Sequence, residues 1–402
     1  YARTALPCFD EPDFKAVFNV SVVHSNHLKA LSNAEAKHTH DLGIWTQPNA
    51  YPATEVAAQV GPRLMRHFAE RFQQPYPLPK QDMMAVSQML SGAMENWGLI
   101  IYSVESLLYR NETCWLKEYD GLLNVVAHEL SHQWFGNLVT MRWWNDLWMN
   151  EGFATLYEYL APVQLENNKN KWVSTSRRLI DQGGSVLRML RYKLGAKIFD
   201  KCVQHYLKKY AYRNTDHDQL WEAMNEVISK NPGRDPNFHI TEDMDSWFTE
   251  AGYPLLTVER NYNSGSVIIS QRRFLLNSTE ENEMPFSSSW YIPVWYRQEG
   301  AGSETLTSIK EGQKSIEIQG LGDGWLLVNF EARSLCRVNY DERNWKLLYE
   351  QLMMDHTVRR TNWYLSDRKI IGYFDLTRSN LIILISSIYS IHSVQQGAET
   401  HS

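Results

Sequence analysis

Apolar residues recur at helical spacing in several stretches of the chain. Side chains three and four residues apart predict helices over 54–73, 116–142 and 145–160, and a series of helices with short breaks over 183–229. The segment "PYPLPK" is expected to end the first helix, because proline cannot continue it. A further helical segment is predicted from about residue 342.

Two other parts of the chain carry strand patterns. The run "AVFNVSVVHS", within residues 1–50, alternates β-branched and aromatic residues with polar ones and predicts a short strand. From about residue 254, β-prone runs are separated by Gly, Asn and Ser turns, as in "PLLTVERNYNSGSVIISQRRFLL", "SSSWYIPVWYRQ", "KSIEIQG" and "GWLLVNF". Short strands at this spacing indicate a small β-sandwich.

Composition excludes several classes of protein. The 402 residues are 43% hydrophobic, which is enough for packed cores and argues against a disordered chain. The net charge is -6 and no basic run stands out, so nucleic acid is not expected as a partner. The four cysteines form no CxxC pair, which argues against a cysteine-bound zinc ion.

The ends of the chain carry no targeting signal that we recognise. The sequence begins "YARTALPCFDEPDF", without a methionine or a signal peptide, and reads as a fragment or a mature piece. The apolar run at 381–391 is shorter than the roughly 20 residues that a bilayer requires. Sequons at Asn19, Asn111 and Asn277 are glycan acceptors only in a secreted protein.

The stretch "VVAHELSHQWFGNLVTMRWWNDLWMNEGFATLYEYL" carries the candidate chemistry. On a helix, His128 and His132 project from one face, and paired imidazoles at this spacing suit zinc. Glu129 lies beside that face, where a general base could act on zinc-bound water. Glu151 is the expected third ligand, and Glu158, two turns further along its helix, is expected to hold a ligand imidazole.

Each of these residues also has a plainer explanation. An isolated HExxH occurs by chance in many proteins, where its histidines are ordinary helix residues, and Glu158 alone could be a solvated or salt-bridged glutamate. Glu151 follows His132 at a sequence distance that suits a third zinc ligand, and it stands at the start of a helical pattern. Both features favour the zinc interpretation over chance.

A second motif lies in "SGAMENWGLI". Small residues there predict a strand edge that a substrate backbone can approach closely, with a carboxylate beside it that can pair with a free α-ammonium. The plainer alternative is a turn with an exposed glutamate. The residues concerned are Gly92, Ala93, Met94, Glu95 and Asn96.

Together the two motifs resemble those of the zinc aminopeptidases of the aminopeptidase N type, the gluzincins. Similar surroundings include "PCFDEP", "YPLPK", "GGSVLRML" and "RVNYDERNW", and the resemblance covers most of the chain to about residue 355. It implies one Zn²⁺ per chain bound by His128, His132 and Glu151, with Glu129 activating water. It also implies that Glu95 and the GAMEN backbone bind the substrate amino terminus, with Met94 beside the first side-chain pocket.

The resemblance also implies the architecture, which is an α+β multidomain protein. We expect a partial N-terminal β domain over 1–50 and a thermolysin-like catalytic domain over 51–252. A β-sandwich is expected over 253–341, and a truncated helical C-terminal segment over 342–402.

The sequence departs from the family in ways that bear on activity. The N-terminal domain begins part-way, the segments before 55 and before 183 are short, and the helical C-terminal domain is missing. Ile180 stands where the family has a tyrosine that stabilises the oxyanion, and loss of one such donor costs about 10²–10³ in rate. Tyr157 or Tyr159 would have to replace it.

The leading hypothesis is a metalloaminopeptidase that acts on peptides with a free N-terminus. Two alternatives stay open: a shortened pseudo-peptidase that binds zinc and peptide with little turnover, and a thermolysin-like endopeptidase, against which Glu95 argues. Without the C-terminal domain the interface that it covers would be exposed, which leaves aggregation and a homodimer open. The resemblance implies a plasma-membrane ectodomain or an extracellular location, and an anchor upstream of residue 1 is left open.

Overall fold

A computed structural model shows a mixed α+β protein. It describes Arg3 and residues 7–34, 42–165, 182–275 and 288–354, except for single residues within these ranges, which are Asn19, Leu90, Asn111, Thr113 and Arg234. In the described part, no helix is long and apolar enough to span a bilayer. The apolar run at 381–391 and the asparagines of all three sequons lie outside the described residues.

The helices begin and end close to the predicted positions in most cases. They are α1 (Glu55–Phe72), α2 (Val104–Leu107), α3 (Leu116–Ser131), α4 (Leu147–Leu165), α5 (Gln182–Leu194), α6 (Ala196–Tyr210), α7 (His217–Ile228), α8 (Ile240–Thr249) and α9 (Glu342–Met354). The helices predicted over 54–73, 145–160 and 183–229 are confirmed, as is the start of a helix at 342.

The predicted helix over 116–142 is wrong beyond Ser131. Its last part consists of turns, and the chain reverses at Gly136, whose φ of +118° only glycine adopts readily. The peptide N–H of Gly136 donates to the carbonyl of Val139, which closes the turn. The chain then enters a short strand at Thr140, so the segment after His132 wraps around the end of α3 instead of extending it.

The strands form two larger sheets, one smaller one and one pair. They are β1 (Leu42–Trp45), β2 (Gln81–Val86), β3 (Ala93–Met94), β4 (Leu99–Ser103), β5 (Thr140–Met141), β6 (Asn214–Thr215), β7 (Pro254–Asn261), β8 (Ser266–Arg273), β9 (Ile292–Gln298), β10 (Thr305–Ile309), β11 (Ser315–Ile318), β12 (Leu326–Val328) and β13 (Arg337–Tyr340). The sheet beside the helices has the order β1-β2-β4-β3. Its first three strands are parallel, and β3 runs antiparallel at the edge.

The predicted N-terminal strand is wrong. The described residues of "AVFNVSVVHS" form no strand, and Val17 and Val23 are 95% and 100% exposed. A strand needs a neighbour for its backbone N–H and C=O groups, and no described strand lies beside this run. The first strand of the chain is instead β1, which pairs with β2 across the expected domain boundary at residue 50.

The chain after residue 253 forms two sheets, and the β-sandwich that the turn spacing predicts stays a prediction. One has the order β10-β9-β12, and the other has the order β11-β8-β7-β13. Buried side chains from both sheets belong to one hydrophobic core, for example Val258, Ile269, Val294 and Leu326. The domain boundaries at 50, 252 and 341 stay predictions, and the chain after residue 354 lies outside the described part.

Helix packing beneath the sheet brings α3, α4 and α5 together. The closest approach is between α4 and α5, where a Cβ on Gly152 would lie 2.8 Å from the backbone of Gly183. A Cβ on Gly184 would lie 2.9 Å from the side chain of Thr155 in return. No larger residues fit at this crossing, which fixes how α4 lies against its neighbours.

Candidate metal centre

Helix α3 and the residue that caps it place two imidazoles side by side. His128 lies in its last turn and His132 follows directly after Ser131, and their Nε2 atoms are 3.0 Å apart. Apolar residues on the other side of the helix, such as Val126 and Leu130, are fully buried and hold it against the core. The four-residue spacing thus brings the two rings together, as the sequence predicts.

Helix α4 contributes a carboxylate to the same point. Glu151 Oε2 lies 3.5 Å from Nε2 of His128 and 3.7 Å from Nε2 of His132. One ligand atom from each of the three residues fits within a span of 4.8 Å. Of the described residues, these three form the one cluster of His, Cys, Asp and Glu that could hold a metal ion.

The other nitrogen of each ring is bound by an acceptor. Nδ1 of His128 lies 3.1 Å from Oε2 of Glu158, and Nδ1 of His132 lies 2.9 Å from the carbonyl oxygen of Phe135. A carbonyl can only accept, so Nδ1 of His132 carries its proton, and Glu158 favours the same tautomer for His128. In the neutral rings both Nε2 lone pairs then face Glu151. Two nitrogen lone pairs and a carboxylate fit a divalent cation such as zinc.

Burial and neighbouring charges act in opposite directions on the pKa values of His128 and Glu151. Burial alone would lower the pKa of His128, but the carboxylates of Glu151 and Glu158 outweigh burial and raise that pKa to about 10. Burial alone would raise the pKa of Glu151, and the two imidazoles instead hold it well below its usual value. The imidazoles thus favour their protonated form, and a metal ion that binds their nitrogens would have to displace protons.

Glu129 is a buried carboxylate next to the imidazoles. The residue is 6% exposed, and its Oε2 has no hydrogen-bond partner among the described residues. Burial raises the pKa of Glu129 to about 7, against the influence of His132 and His128. A buried carboxylate oxygen without a partner needs a donor from outside the protein chain, and a water molecule can supply it.

The second motif forms the edge of the sheet, as the sequence predicts. Strand β3 pairs with β4 on one side, through Ala93 with Tyr102 and Met94 with Ile101, and its other side is unpaired among the described strands. Gly92 and Met94 are exposed at this edge. The next residue, Glu95, is half-buried, and its carboxylate makes no hydrogen bond or ion pair with the described residues. The edge therefore offers unpaired backbone beside an unpaired carboxylate.

Sequence reasoning missed two residues that join this edge to α3. Gln133 Nε2 and Asn137 Nδ2 both donate to the carbonyl oxygen of Glu95, at 3.2 and 2.8 Å. The amide side chain of Asn96 lies 3.4 Å from the carbonyl of Met94, within its own loop. The one available signal was the pair of amide residues in "HQWFGN", directly after the second histidine.

Tyr157 and Tyr159, the candidate substitutes for an oxyanion tyrosine, are both buried on α4. Tyr157 is buried, and its ring packs among Phe68, Phe72 and Phe135 in the core between α1 and α4. Its ring is therefore part of the aromatic core. Ile180 lies outside the described residues.

Several known proteins are similar in sequence to this chain. The sequence model of the peptidase family M1 domain matches residues 56–182 and 176–247, and that of the peptidase M1 N-terminal domain matches residues 1–50. Aminopeptidase N of Mus musculus is 31% identical over 89% of this chain, and aminopeptidase N of Bos taurus is 30% identical over 95%. Glutamyl aminopeptidase of Bos taurus is 31% identical over 89%.

The chain spans about half the length of these relatives, since the alignments cover 45%, 48% and 44% of them. The two M1 models together match more than half of the chain, and they include the helix pair that carries His128, His132 and Glu151. The chain belongs to peptidase family M1.

Proposed function

We propose that the chain is a zinc-dependent metalloaminopeptidase, which hydrolyses N-terminal residues from peptides. The observation that carries this proposal is the convergence of two Nε2 atoms and Glu151 Oε2, with both Nδ1 atoms held by acceptors. Membership of family M1 and similarity to three proteins named as aminopeptidases support the same chemistry.

One Zn²⁺ per chain would be held by His128, His132 and Glu151, and Glu158 would orient the ring of His128. When bound, zinc supplies a Lewis acid that polarises a carbonyl and makes a water molecule more acidic at neutral pH. The remaining steps belong to side chains of the protein.

Glu129 is the proposed general base. Its buried Oε2, without a partner in the described part of the chain, is free to take the proton of the attacking water. The same carboxyl group then returns a proton to the nitrogen of the departing peptide. Its burial excludes bulk water from that oxygen and keeps the proton within the site.

The edge strand is the proposed substrate platform. A peptide backbone would lie along β3, where Gly92 and Ala93 keep side-chain bulk low, and Asn96 would help to shape the loop that follows. Glu95 would pair with the free α-ammonium and so set the exopeptidase register. The exposed Met94 would border the pocket for the first side chain.

The proposed partners are therefore peptides with a free N-terminus. An extracellular or plasma-membrane ectodomain location is proposed from the family resemblance. A homodimer and an anchor upstream of residue 1 stay predictions.

The test is hydrolysis of aminoacyl p-nitroanilides by the purified chain, with zinc content measured on the same sample. Turnover that a chelator removes and zinc restores is the expected result, together with no cleavage of N-acetylated peptides. Stoichiometric zinc without turnover would overturn the catalytic proposal and indicate a peptide-binding protein instead. Cleavage of N-acetylated peptides would indicate an endopeptidase.

A further inference from the structure

A single buried amide connects the candidate amine-binding residue to the helix that carries the metal-site histidines. Nε2 of Gln133 donates to the carbonyl oxygen of Glu95 at 3.2 Å and to the carbonyl oxygen of Glu129 at 3.1 Å. Asn137 adds a second amide donor to the Glu95 carbonyl at 2.8 Å. The backbones of Glu95 and Glu129 are therefore bound to one nitrogen atom.

The chemistry of the groups fixes the direction of these bonds. Both partners of Gln133 are carbonyl oxygens, which only accept, so the NH₂ end of the amide must face them. Its own Oε1 is then buried without a partner among the described residues. Burial of Oε1 without a partner costs free energy, because this oxygen loses its hydrogen bonds to water. The two hydrogen bonds that Nε2 donates offset this cost.

The rest of the loop after β3 is held independently of this amide. Asn33 Nδ2 donates to the carbonyl of Trp97 at 2.9 Å, and Lys80 Nζ donates to the carbonyl of Gly98 at 2.8 Å. Lys80 is buried and forms an ion pair with Asp82. Loss of Gln133 would thus remove the bridge from Glu95 to Glu129 and leave Asn137 as the remaining donor to the Glu95 carbonyl, with the following residues in place.

We propose that Gln133 and Asn137 are positioning residues, which hold Glu95 at a fixed distance from the metal-site helix and so let it recognise the substrate ammonium. The inference rests on the proposed function. The reacting groups on an α-amino acid substrate are separated by only two bonds, so the ammonium site and the metal site must keep their spacing closely. Glu95 directly follows the edge strand β3, and these two donors bind its backbone to the segment that carries the metal-site histidines.

The test measures the binding advantage that an ammonium group gives to a ligand, without any need for turnover. The probes are L-leucine hydroxamate and 4-methylpentanohydroxamate, which both bind metal ions through the hydroxamate and differ only in the amine. Their dissociation constants are measured by titration calorimetry on the zinc-loaded chain. The variants are Gln133→Met, which keeps the length of the side chain, and Asn137→Ala at a half-buried position that tolerates truncation.

The matched control is Gln271→Met, in strand β8. Gln271 Nε2 also bridges two carbonyl oxygens, those of Trp290 and Gln313, at 2.9 Å each. The control therefore loses the same type of contact far from the site. Thermal melting of all variants shows which of them remain folded.

We expect Gln133→Met to reduce the preference for the amine-bearing hydroxamate about tenfold, which corresponds to about 1.4 kcal/mol. Asn137→Ala should reduce it about threefold, and Gln271→Met should leave it unchanged. Affinity for the hydroxamate without the amine should stay the same in all four proteins. An unchanged preference in folded Gln133→Met and Asn137→Ala would overturn the positioning role while leaving the proposed function intact. A wild-type chain without any preference, or without binding of either probe, would overturn both.

Discussion

The contact between Glu158 and His128 leads to a quantitative prediction about zinc affinity. Glu158 Oε2 accepts from Nδ1 of His128 at 3.1 Å, and its side chain is only 17% exposed. Glu158→Ala removes the acceptor, so the ring of His128 is free to rotate and to move its proton to Nε2. Loss of such a partner behind a ligand histidine typically weakens metal binding about 10–100-fold.

The structure sets limits on the size of this effect. A 10–100-fold change corresponds to about 1.4–2.8 kcal/mol of binding free energy. The site is not lost, because His132 keeps its own acceptor, the carbonyl of Phe135, at 2.9 Å. Glu158→Gln keeps an acceptor oxygen but no charge, and we expect it to weaken zinc binding less than tenfold.

Competition with a chromophoric zinc chelator measures the dissociation constant of each variant. Glu222→Ala serves as the control, because this α7 glutamate has a 64% exposed side chain. Zinc-dependent protection against urea should fall by the same free energy as the affinity. A dissociation constant in Glu158→Ala equal to that of the wild type would refute the idea that Glu158 orients His128.

Three further predictions concern catalysis and packing. Glu129→Gln should retain zinc, as measured by atomic absorption, and its kcat should fall about 10²–10⁴-fold, because the variant has no base to accept the proton of water. Retained turnover would remove Glu129 from this role. Glu95→Ala should raise KM for free-amine substrates about ten- to hundredfold at unchanged zinc content, as expected for a lost charged hydrogen bond, and steady-state kinetics with an unchanged KM would contradict it. Gly152→Ala should lower the free energy of unfolding by about 1–3 kcal/mol in urea, because the new methyl group overlaps Gly183. Gly121→Ala, with nothing within 4 Å of its Cβ, should raise that free energy by about 0.5–1 kcal/mol, and equal effects of the two would contradict the packing argument.

Much of the candidate site could be predicted from the sequence because helical spacing is a local property. The four-residue spacing of His128 and His132 and the seven-residue spacing of Glu151 and Glu158 each place two side chains on one helix face. The structure brings all four together, although the roles of the residues stay proposals. The edge position of β3 was predicted from another local feature, the small residues at 92 and 93.

The misses share a different physical origin. Strand formation at 16–25 depends on a neighbouring strand, which the pattern of a single run cannot reveal. The end of α3 depends on the turn at Gly136, which the apolar spacing beyond His132 concealed. The contacts of Gln133 and Asn137 join residues about forty positions apart, so only the folded chain shows them.

The crossing of α4 and α5 has a consequence for how the molecule can change over evolution. The backbones of Gly152 and Gly183 pack closely, so this crossing itself sets how α4 and α5 lie against each other. The entropy of closing a flexible connection grows only with the logarithm of its length, and doubling the length costs about 0.6 kcal/mol. A change in the length of chain between these helices therefore alters the free energy of folding little. Replacement of the glycines at the crossing by larger residues disturbs the packing. Lineages can shorten or extend the connection while Glu151, one residue before the crossing, keeps its place.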